Sequence, residues 1–311
     1  MAATIKNISF CLLLLCCSVA CEEEFLPEIS TDPTDIVVEG YIEAGDQALP
    51  PYVILTRSIP FSNEISLETL NNLFVRDAQV TVSNGSSSVN LVELCLSELS
   101  PAQQILVAQA FGVELEDLAL NVCLYLDPSF SLIGEVGKTY TLEIRVENQL
   151  ITASTTIPPL VPLDSIQFVD PPGNPPTNLL EMRCFVTDPD SLVSFYRYFT
   201  SINGEAFIPG FNSVTDDVFF DGKSFEFPLA KGEPRNEPIE QETFGLLTVG
   251  DTLTMKWCTI DQVHYNFWNS LEFNAINQGP FSSYTRVENN INGGLGIWGG
   301  LSVSYITKTV Q

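Results

Sequence analysis

Few residues of this chain have the type and spacing that catalysis requires. His264 is the single histidine, so any triad with a histidine base would need it. It lies one helical turn after Ile260 and one turn before Trp268, beside an apolar stripe, which favours a half-buried structural role. No serine stands in a G-x-S-x-G elbow, and no pair of carboxylates is singled out for glycoside hydrolysis. We therefore expect no catalytic residue.

The segment SVTDDVFFDGKSF brings three carboxylates close together in sequence. Hard cations favour such clusters, but Asp216, Asp217 and Asp221 do not follow the spacing of an EF-hand loop, and Asp221-Gly222 is typical of a turn. A solvated loop is the expected structure, with neither metal nor cofactor. The glycine-rich INGGLGIWGGL lacks the basic residue of a phosphate loop. It predicts close backbone packing before a last strand, with Trp298 either in the core or on a binding face.

Four of the eight cysteines lie in the body of the chain, and their spacings do not fit a zinc site. Cys95 and Cys123 flank a helical insert at 96–122. If the protein is exported they are predicted to form a disulfide, which would contribute roughly 3–4 kcal/mol in the chain-entropy model. Whether Cys184 and Cys258 also pair is left open, because Cys258 falls on the face of its strand opposite to the main apolar residues.

The N terminus has the pattern of an export signal. A short apolar run follows Lys6 and is too short to span a membrane as a helix, so residues 1–20 are predicted to be a signal peptide. Residues 18–21, SVAC, resemble a bacterial lipobox, in which Cys21 would become the lipidated first residue. Ser18 departs from the Leu, Val or Ile usual at its position. The alternative is a soluble secreted protein in which Cys21 is incidental.

Three glutamates, Glu22, Glu23 and Glu24, follow this cysteine directly. Adjacent carboxylates repel one another and stay hydrated, so residues 21–34 are predicted to be an acidic tether. A short acidic run after the lipidated cysteine also resembles the signal that directs Bacteroidota lipoproteins to the outer face of the outer membrane. An anchor that faces the periplasm is the alternative. Lipid chains add roughly 0.8 kcal/mol per buried methylene, so a multiply acylated Cys21 would hold the protein without a transmembrane helix.

The acidic composition excludes one class of partner. The chain has 13 Lys and Arg residues against 39 Asp and Glu residues, and its net charge is −26. Nucleic-acid backbones require clusters of basic side chains, so no nucleic-acid partner is expected. The 45% content of hydrophobic residues predicts a folded chain rather than a disordered one.

Alternating apolar residues predict a mostly β protein with two β-sandwich-like domains. The clearest strand has Tyr140, Leu142, Ile144 and Val146 on one face, and Asn84-Gly85 predicts the turn of a hairpin. The first domain, expected at 35–160, is immunoglobulin-like and carries the helical insert, which is predicted to begin with Ser100 as cap and Pro101 in its first turn.

The second domain is expected at 161–311 as a β-rich domain with a helix packed on it near residues 260–275. Thr259 and Gln262 form a T-x-x-Q capping box. The apolar residues of the helix are predicted to form one stripe that covers a sheet, and they are Ile260, Val263, Phe267 and Leu271.

Three short motifs resemble the O-glycosylation signal of exported Bacteroidota proteins. They begin at Asp164, Asp190 and Asp251, and the acceptors would be Ser165, Ser191 and Thr252. Asp-Ser is also ordinary turn chemistry, so the motif alone does not decide between the two.

Several segments together resemble one family. They are CEEE, VVEGYIE, VILTRSIPF, the insert between Cys95 and Cys123, GEVGKTYTLEI, FFDGKSFEFPL, KWCTIDQVHYNFW and NINGGLGIWGGLSVSYI, in this order. The chain is similar to the Bacteroidota outer-membrane lipoprotein family labelled domain of unknown function 4249, over nearly all its length after the signal. The resemblance implies a protein that works beside a TonB-dependent receptor in uptake, and it supplies no catalytic residues.

These observations favour a lipid-anchored accessory or binding protein of the outer membrane that has no catalytic activity. Two alternatives belong to other classes. One is an enzyme that acts on an extracellular glycan or peptide with carboxylates alone, and the other is a structural or adhesive surface protein. The sequence names no ligand.

Overall fold

The computed structural model describes residues 35–59, 66–111, 121–173, 176–190, 193–234, 240, 242–276 and 286–311. All of them fall in one structural unit. The predictions for residues 1–34, including Cys21 and the three glutamates, lie outside the described residues, and so does Ser191.

The described chain is mostly β, as the alternating pattern predicts. Its elements, in order, are β1 (Ile36–Gly45), β2 (Tyr52–Arg57), α1 (Leu67–Asn71), β3 (Gln79–Ser83), β4 (Ser88–Cys95), a 3₁₀ helix (Leu96–Glu98), α2 (Pro101–Phe111), β5 (Cys123–Leu126), β6 (Thr139–Val146), β7 (Gln149–Thr156), β8 (Leu163–Val169), β9 (Leu179–Thr187), β10 (Phe195–Ile202), β11 (Ile208–Asp216), β12 (Ser224–Leu229), β13 (Leu247–Thr248), β14 (Thr252–Ile260), α3 (Gln262–Ile276) and β15 (Leu295–Thr309). Among the described residues, none of the helices has the length and hydrophobicity needed to cross a bilayer.

Most strands belong to one long sheet. Eleven strands follow the order β11-β10-β14-β15-β1-β2-β5-β4-β3-β6-β7, and β8, β9, β12 and β13 form a four-stranded sheet. The last strand, β15, pairs in parallel with β1 and antiparallel with β14. The long sheet therefore contains strands from both sides of residue 161. The division into domains at 35–160 and 161–311 stays a prediction.

The two faces of the long sheet have different roles. Its inner face carries Trp298 of β15 and Trp257 of β14, and each lies in its own hydrophobic cluster. The first cluster also contains the apolar residues of β3, β6 and β7, and the second contains those of β8 and β9. The outer face carries the odd-numbered residues of β1, β10 and β15 and the even-numbered residues of β14, because the register pairs them.

The predicted apolar face, hairpin and helix start in the first half are confirmed. The predicted apolar face of β6 is buried, and β3 and β4 form the hairpin whose turn contains Gly85 at φ +86°. Helix α2 begins at Pro101, where the Oγ of Ser100 donates to Oε1 of Gln103 at 2.7 Å.

The glycine-rich segment packs closely, and Trp298 is a core residue. The indole N–H of Trp298 donates to the carbonyl of Tyr140 at 3.1 Å, and the side chain is fully buried. A Cβ on Gly299 would lie 2.6 Å from Nδ1 of His264, and one on Gly296 would lie 1.9 Å from the carbonyl oxygen of Val38. Glycine at these positions therefore lets β15 approach β1 and α3.

The body cysteines form one disulfide. Cys95 and Cys123 face each other across β4 and β5 and are bonded, as predicted. Cys184 and Cys258 are both buried and free. They cannot meet, because Cys258 lies with the outer-face residues of β14 while Cys184 lies in the cluster on the inner face. Burial raises the pKa of both thiols to about 12.

Two predictions about α3 are wrong in detail, although the helix lies where it was expected. Its cap is Asp261, whose carboxylate accepts from the backbone N–H of His264 at 2.8 Å. Thr259 belongs to β14, so the helix starts later than the capping-box prediction requires. Val263 and Leu271 are therefore turned outward, at 41% and 37% exposure. The buried face of the helix consists of His264, Phe267 and Glu272.

We predict that Gly296→Ala is far more harmful than Gly85→Ala. Both glycines have positive φ, but a Cβ at 85 meets nothing within 4 Å. Strain alone should cost Gly85→Ala roughly 1–2 kcal/mol. The added collision with Val38 should bring the cost of Gly296→Ala to about 3 kcal/mol or more. Urea unfolding of the two variants measures the difference, and equal losses would contradict the account of β15 given above.

Candidate functional site

A cleft lies on the outer face of the long sheet. Its volume is about 540 Å³, and its walls come from β1, β2, β10, β14 and β15 with the loop that follows β10. This volume is within the range of pockets that hold small organic ligands. Alternation along the strands builds the cleft, because every second residue of each strand faces the same side of the sheet.

Aromatic rings form much of the wall. Tyr41 and Tyr52 pack together with ring centroids 5.6 Å apart, and Phe207 and Tyr305 pack edge to face at 5.9 Å. Phe199 lies between the basic groups on β10 and β14. Burial raises the pKa of Tyr305 to about 12. Its hydroxyl therefore stays protonated at neutral pH, where it is able to donate a hydrogen bond to a bound molecule.

Three ionisable side chains lie on the floor of the cleft. Glu43, Arg197 and Lys256 are only 2%, 4% and 9% exposed. Lys256 forms an ion pair with Glu43, whose other oxygen accepts from the backbone N–H of Leu49 at 3.0 Å. Burial by itself lowers the pKa of Lys256, but the charge of Glu43 outweighs burial, so the pKa stands above its ordinary value. Lys256 is therefore charged at neutral pH.

Arg197 is held differently from Lys256. Its guanidinium carbon lies 3.6 Å from the ring centroid of Trp268 and 4.7 Å from that of Phe199, which is cation–π geometry. Its hydrogen bonds are long, at 3.3 Å to Oγ of Ser213 and 3.5 Å to the hydroxyl of Tyr41. Rings rather than a carboxylate therefore fix its position.

Helix α3 contributes two residues that hold Arg197 in position. It supplies Trp268, and it also supplies Glu272, which accepts from the backbone N–H and the Oγ of Ser213 at 2.9 and 2.6 Å. Ser213 in turn accepts from Arg197. The carboxylate of Glu272 thus acts on the guanidinium through an intervening hydroxyl.

His264 is more deeply buried than its sequence context suggests. It is fully buried, stacks on Tyr41 with centroids 5.5 Å apart, and is not among the residues that line the cleft. Burial, followed by the charge of Arg197, lowers its pKa well below the ordinary value. His264 is therefore neutral at physiological pH, and its structural role stays a prediction.

The predicted acidic loop differs from the expected solvated loop. Asp217 is buried and lies beside Asp188 and Asp221, with carboxylate oxygens within 4.8 Å of one another, while Asp216 accepts from the hydroxyl of Tyr265 instead. Burial raises the pKa of Asp217. A hydrogen bond from the backbone N–H of Ser194 lowers this pKa, and the charges of Asp188 and Asp221 raise it further, so it stands above its ordinary value. No ion pair joins these three carboxylates to a basic side chain in the part of the chain that the structure describes.

Two of the three predicted glycosylation acceptors lie in strands of the described chain. Ser165 is in β8 and Thr252 is the first residue of β14, and both are partly exposed. The backbone N–H of Thr252 donates to the side chain of Asn203 at 2.9 Å. Modification of either residue stays a prediction.

The sequence did not identify the residues of the cleft. The sequence predicts no role for Arg197 or Lys256. The signal that could have identified them is a single basic residue inside an apolar strand, in SFYRYFT and DTLTMKWC, in a chain that has only 13 basic residues. Charged side chains are seldom placed in a sheet interior without a partner or a ligand.

Comparison with known proteins gives one match. A family model described as domain of unknown function (DUF4249) matches residues 22–307. No curated protein and no solved structure matches the chain.

We predict that Asp217→Asn stabilises the protein at neutral pH. The folded state holds the pKa of this carboxyl above its ordinary value, so its ionised form costs stability at every pH above the folded pKa. Asparagine removes the charge and keeps an oxygen that accepts from Ser194. Thermal unfolding at pH 8 should show a midpoint raised by a few degrees, and the gain should shrink as the pH falls and disappear below roughly pH 3, where aspartate is protonated in both states.

Asp46→Asn, at an exposed turn, serves as the control and should have no comparable effect. A loss of stability at pH 8 for Asp217→Asn, or a gain that does not change with pH, would contradict the description of this buried carboxyl.

Proposed function

The chain belongs to the family described as domain of unknown function (DUF4249), and we propose that it is a lipid-anchored binding protein of the outer membrane. In this proposal Cys21 carries the lipid, Glu22, Glu23 and Glu24 direct the protein to the cell surface, and the cleft on the outer face captures a small ligand. The captured ligand would pass to a TonB-dependent receptor beside it. The protein performs no chemical step on the ligand.

The cleft is the observation that carries the binding function. It combines a volume of about 540 Å³ with aromatic walls and with Glu43, Arg197 and Lys256 on its floor. Placing ionisable groups in a low-dielectric interior costs several kcal/mol per ion after relaxation, as an order of magnitude. A wall that needed only to be stable would be better built from apolar residues. Polar groups that converge in a largely apolar pocket are typical of ligand sites.

The anchor is supported by the order of the sequence signals. The apolar run, the small residues before Cys21 and the acidic tether coincide at one point of the chain. A tether of 14 residues, 21–34, would separate the lipid from the first strand, which begins at Ile36.

We predict that Cys21→Ala abolishes membrane attachment, because it removes the thiol that would carry the lipid. Metabolic labelling with palmitate and fractionation of native cells measure attachment directly. Cys17→Ala, the matched control inside the signal peptide, should leave labelling and attachment unchanged. Cys21→Ala protein that stays labelled in the membrane would contradict the anchor.

Replacement of all three glutamates by alanine should separate the two orientations. The variant should stay lipidated but should become resistant to protease added to intact cells, because it would face the periplasm. If wild-type protein is already resistant, the surface assignment is wrong and the periplasm-facing anchor stands.

The receptor partnership has its own test. Crosslinking in native membranes followed by purification of the wild-type protein should bring down a TonB-dependent receptor, and Cys21→Ala protein should bring down none. Membrane-bound wild-type protein that purifies alone would remove the partnership from the proposal. If the protein turns over a glycan or peptide and a single carboxylate substitution abolishes that turnover, the enzymatic alternative replaces the proposed binding function.

A further inference from the structure

The floor of the cleft holds two buried cations but only one direct ion pair. Lys256 is paired with Glu43, whereas no carboxylate lies within ion-pair distance of Arg197 among the described residues. The carboxylates associated with Arg197 act through hydroxyl groups, Glu272 through Ser213 and Glu39 through Tyr41. Arg197 therefore lacks the direct counter-ion that a buried charge usually has.

The guanidinium group has hydrogen-bonding capacity left. It carries five N–H donors in a planar fork, and only two contacts to described residues use them, both of 3.3 Å or longer. Its central carbon lies over the rings of Trp268 and Phe199. A planar fork that has aromatic rings beside it and retains unused N–H donors matches the geometry of a carboxylate, which accepts two parallel N–H bonds.

The remainder of the cleft suits a ring. Tyr41, Tyr52, Phe207 and Tyr305 supply aromatic surface to the walls. Aromatic walls bury flat apolar faces, and tyrosine hydroxyl groups satisfy polar groups at the edge of such a face.

The acidic surface sets a further condition on the ligand. A net charge of −26 repels anions at long range. That field decays over roughly 8 Å at physiological ionic strength. An anionic group is therefore attracted to Arg197 only when it is close to the guanidinium group. A small ligand with a single charge meets this condition better than a polyanion does.

We propose that the cleft binds a small molecule in which one carboxylate is attached to a ring, with the carboxylate on Arg197 and the ring against the aromatic walls. This inference rests on the proposed binding function of the cleft and specifies its ligand class. Sugar acids and aromatic acids share this chemistry, and the experiment separates them.

The test is calorimetric titration of the purified lipidated protein with two matched pairs, galacturonate against galactose and 4-hydroxybenzoate against 4-hydroxybenzamide. In at least one pair the acid should bind roughly tenfold tighter or more than its neutral partner, because hydrogen bonds to a charged group contribute about 1.5–3 kcal/mol. The pair that shows this preference identifies the ligand as a sugar acid or as an aromatic acid. Trp268 packs on Arg197, so its fluorescence should change with the acid.

Two arginine variants locate the effect. Arg197→Gln should remove the preference for the acid and leave the affinity for the neutral partner nearly unchanged, whereas Arg145→Gln, at an exposed position on β6, should behave as wild type. If Arg197→Gln does not fold, Arg197→Lys keeps the charge without the fork and should keep a reduced preference. Phe207→Ala should weaken both members of a pair equally.

Equal binding of acid and neutral partner by wild type, or a preference that survives Arg197→Gln, would overturn the carboxylate while leaving the cleft as a binding site. Failure of wild type to bind any of the four compounds would overturn the ligand class. Neither result bears on lipidation or on the receptor, which the membrane experiments decide.

Discussion

The fold depends on the pairing of β15 with two strands from distant parts of the chain. Its first half is bonded in parallel to β1 and its second half antiparallel to β14. Without it, β1 to β7 and β10, β11 and β14 would be two separate sheets, since no other pairing joins them in the described chain. The cleft depends on the same pairing. Arg197 and Lys256 come from one side of β15, and Tyr41 and Glu43 come from the other.

The ion pair between Lys256 and Glu43 spans this junction. The two residues are 213 positions apart in sequence, and each is on a strand next to β15. A buried pair of this kind adds little net stability compared with a well-packed apolar pair. Its effect is on specificity of pairing, because a one-residue shift of either strand would turn one of these charges into a hydrophobic cluster. The charges on the floor thus fix the register of the strands that form the cleft.

Sequence patterns predicted the parts of this fold that local physics determines. The alternation in β6, the Asn84-Gly85 turn and the start of α2 at Pro101 follow from spacing within a short segment, and the disulfide follows from two cysteines that flank one insert. The pairing of β1 with β15 could not be predicted in this way, because the alternation within a strand indicates which face is buried but does not identify the partner strand. For the same reason the sequence could not predict that Asp188 lies beside Asp217, because the two residues come together only when the end of β9 meets the loop after β11.

The orientation of α3 shows a second limit. The sequence predicted that an apolar stripe of four residues is buried, whereas the structure buries a face that contains His264 and Glu272, although burial of polar groups is normally unfavourable. The structure buries the polar face because Ser213 and the Arg197 assembly satisfy Glu272 there. Residues that serve a site violate the patterns from which sequence reasoning starts.

The position of β15 also has a kinetic consequence. It begins at Leu295 and pairs with β1, which ends at Gly45, in the interior of the long sheet. Until β15 has been synthesised, β1 and β14 present unpaired edges on their facing sides and the long sheet cannot close. Contacts between residues far apart in sequence slow folding because a large loop must close before they form. The cleft is therefore completed only after the other strands that line it have been made.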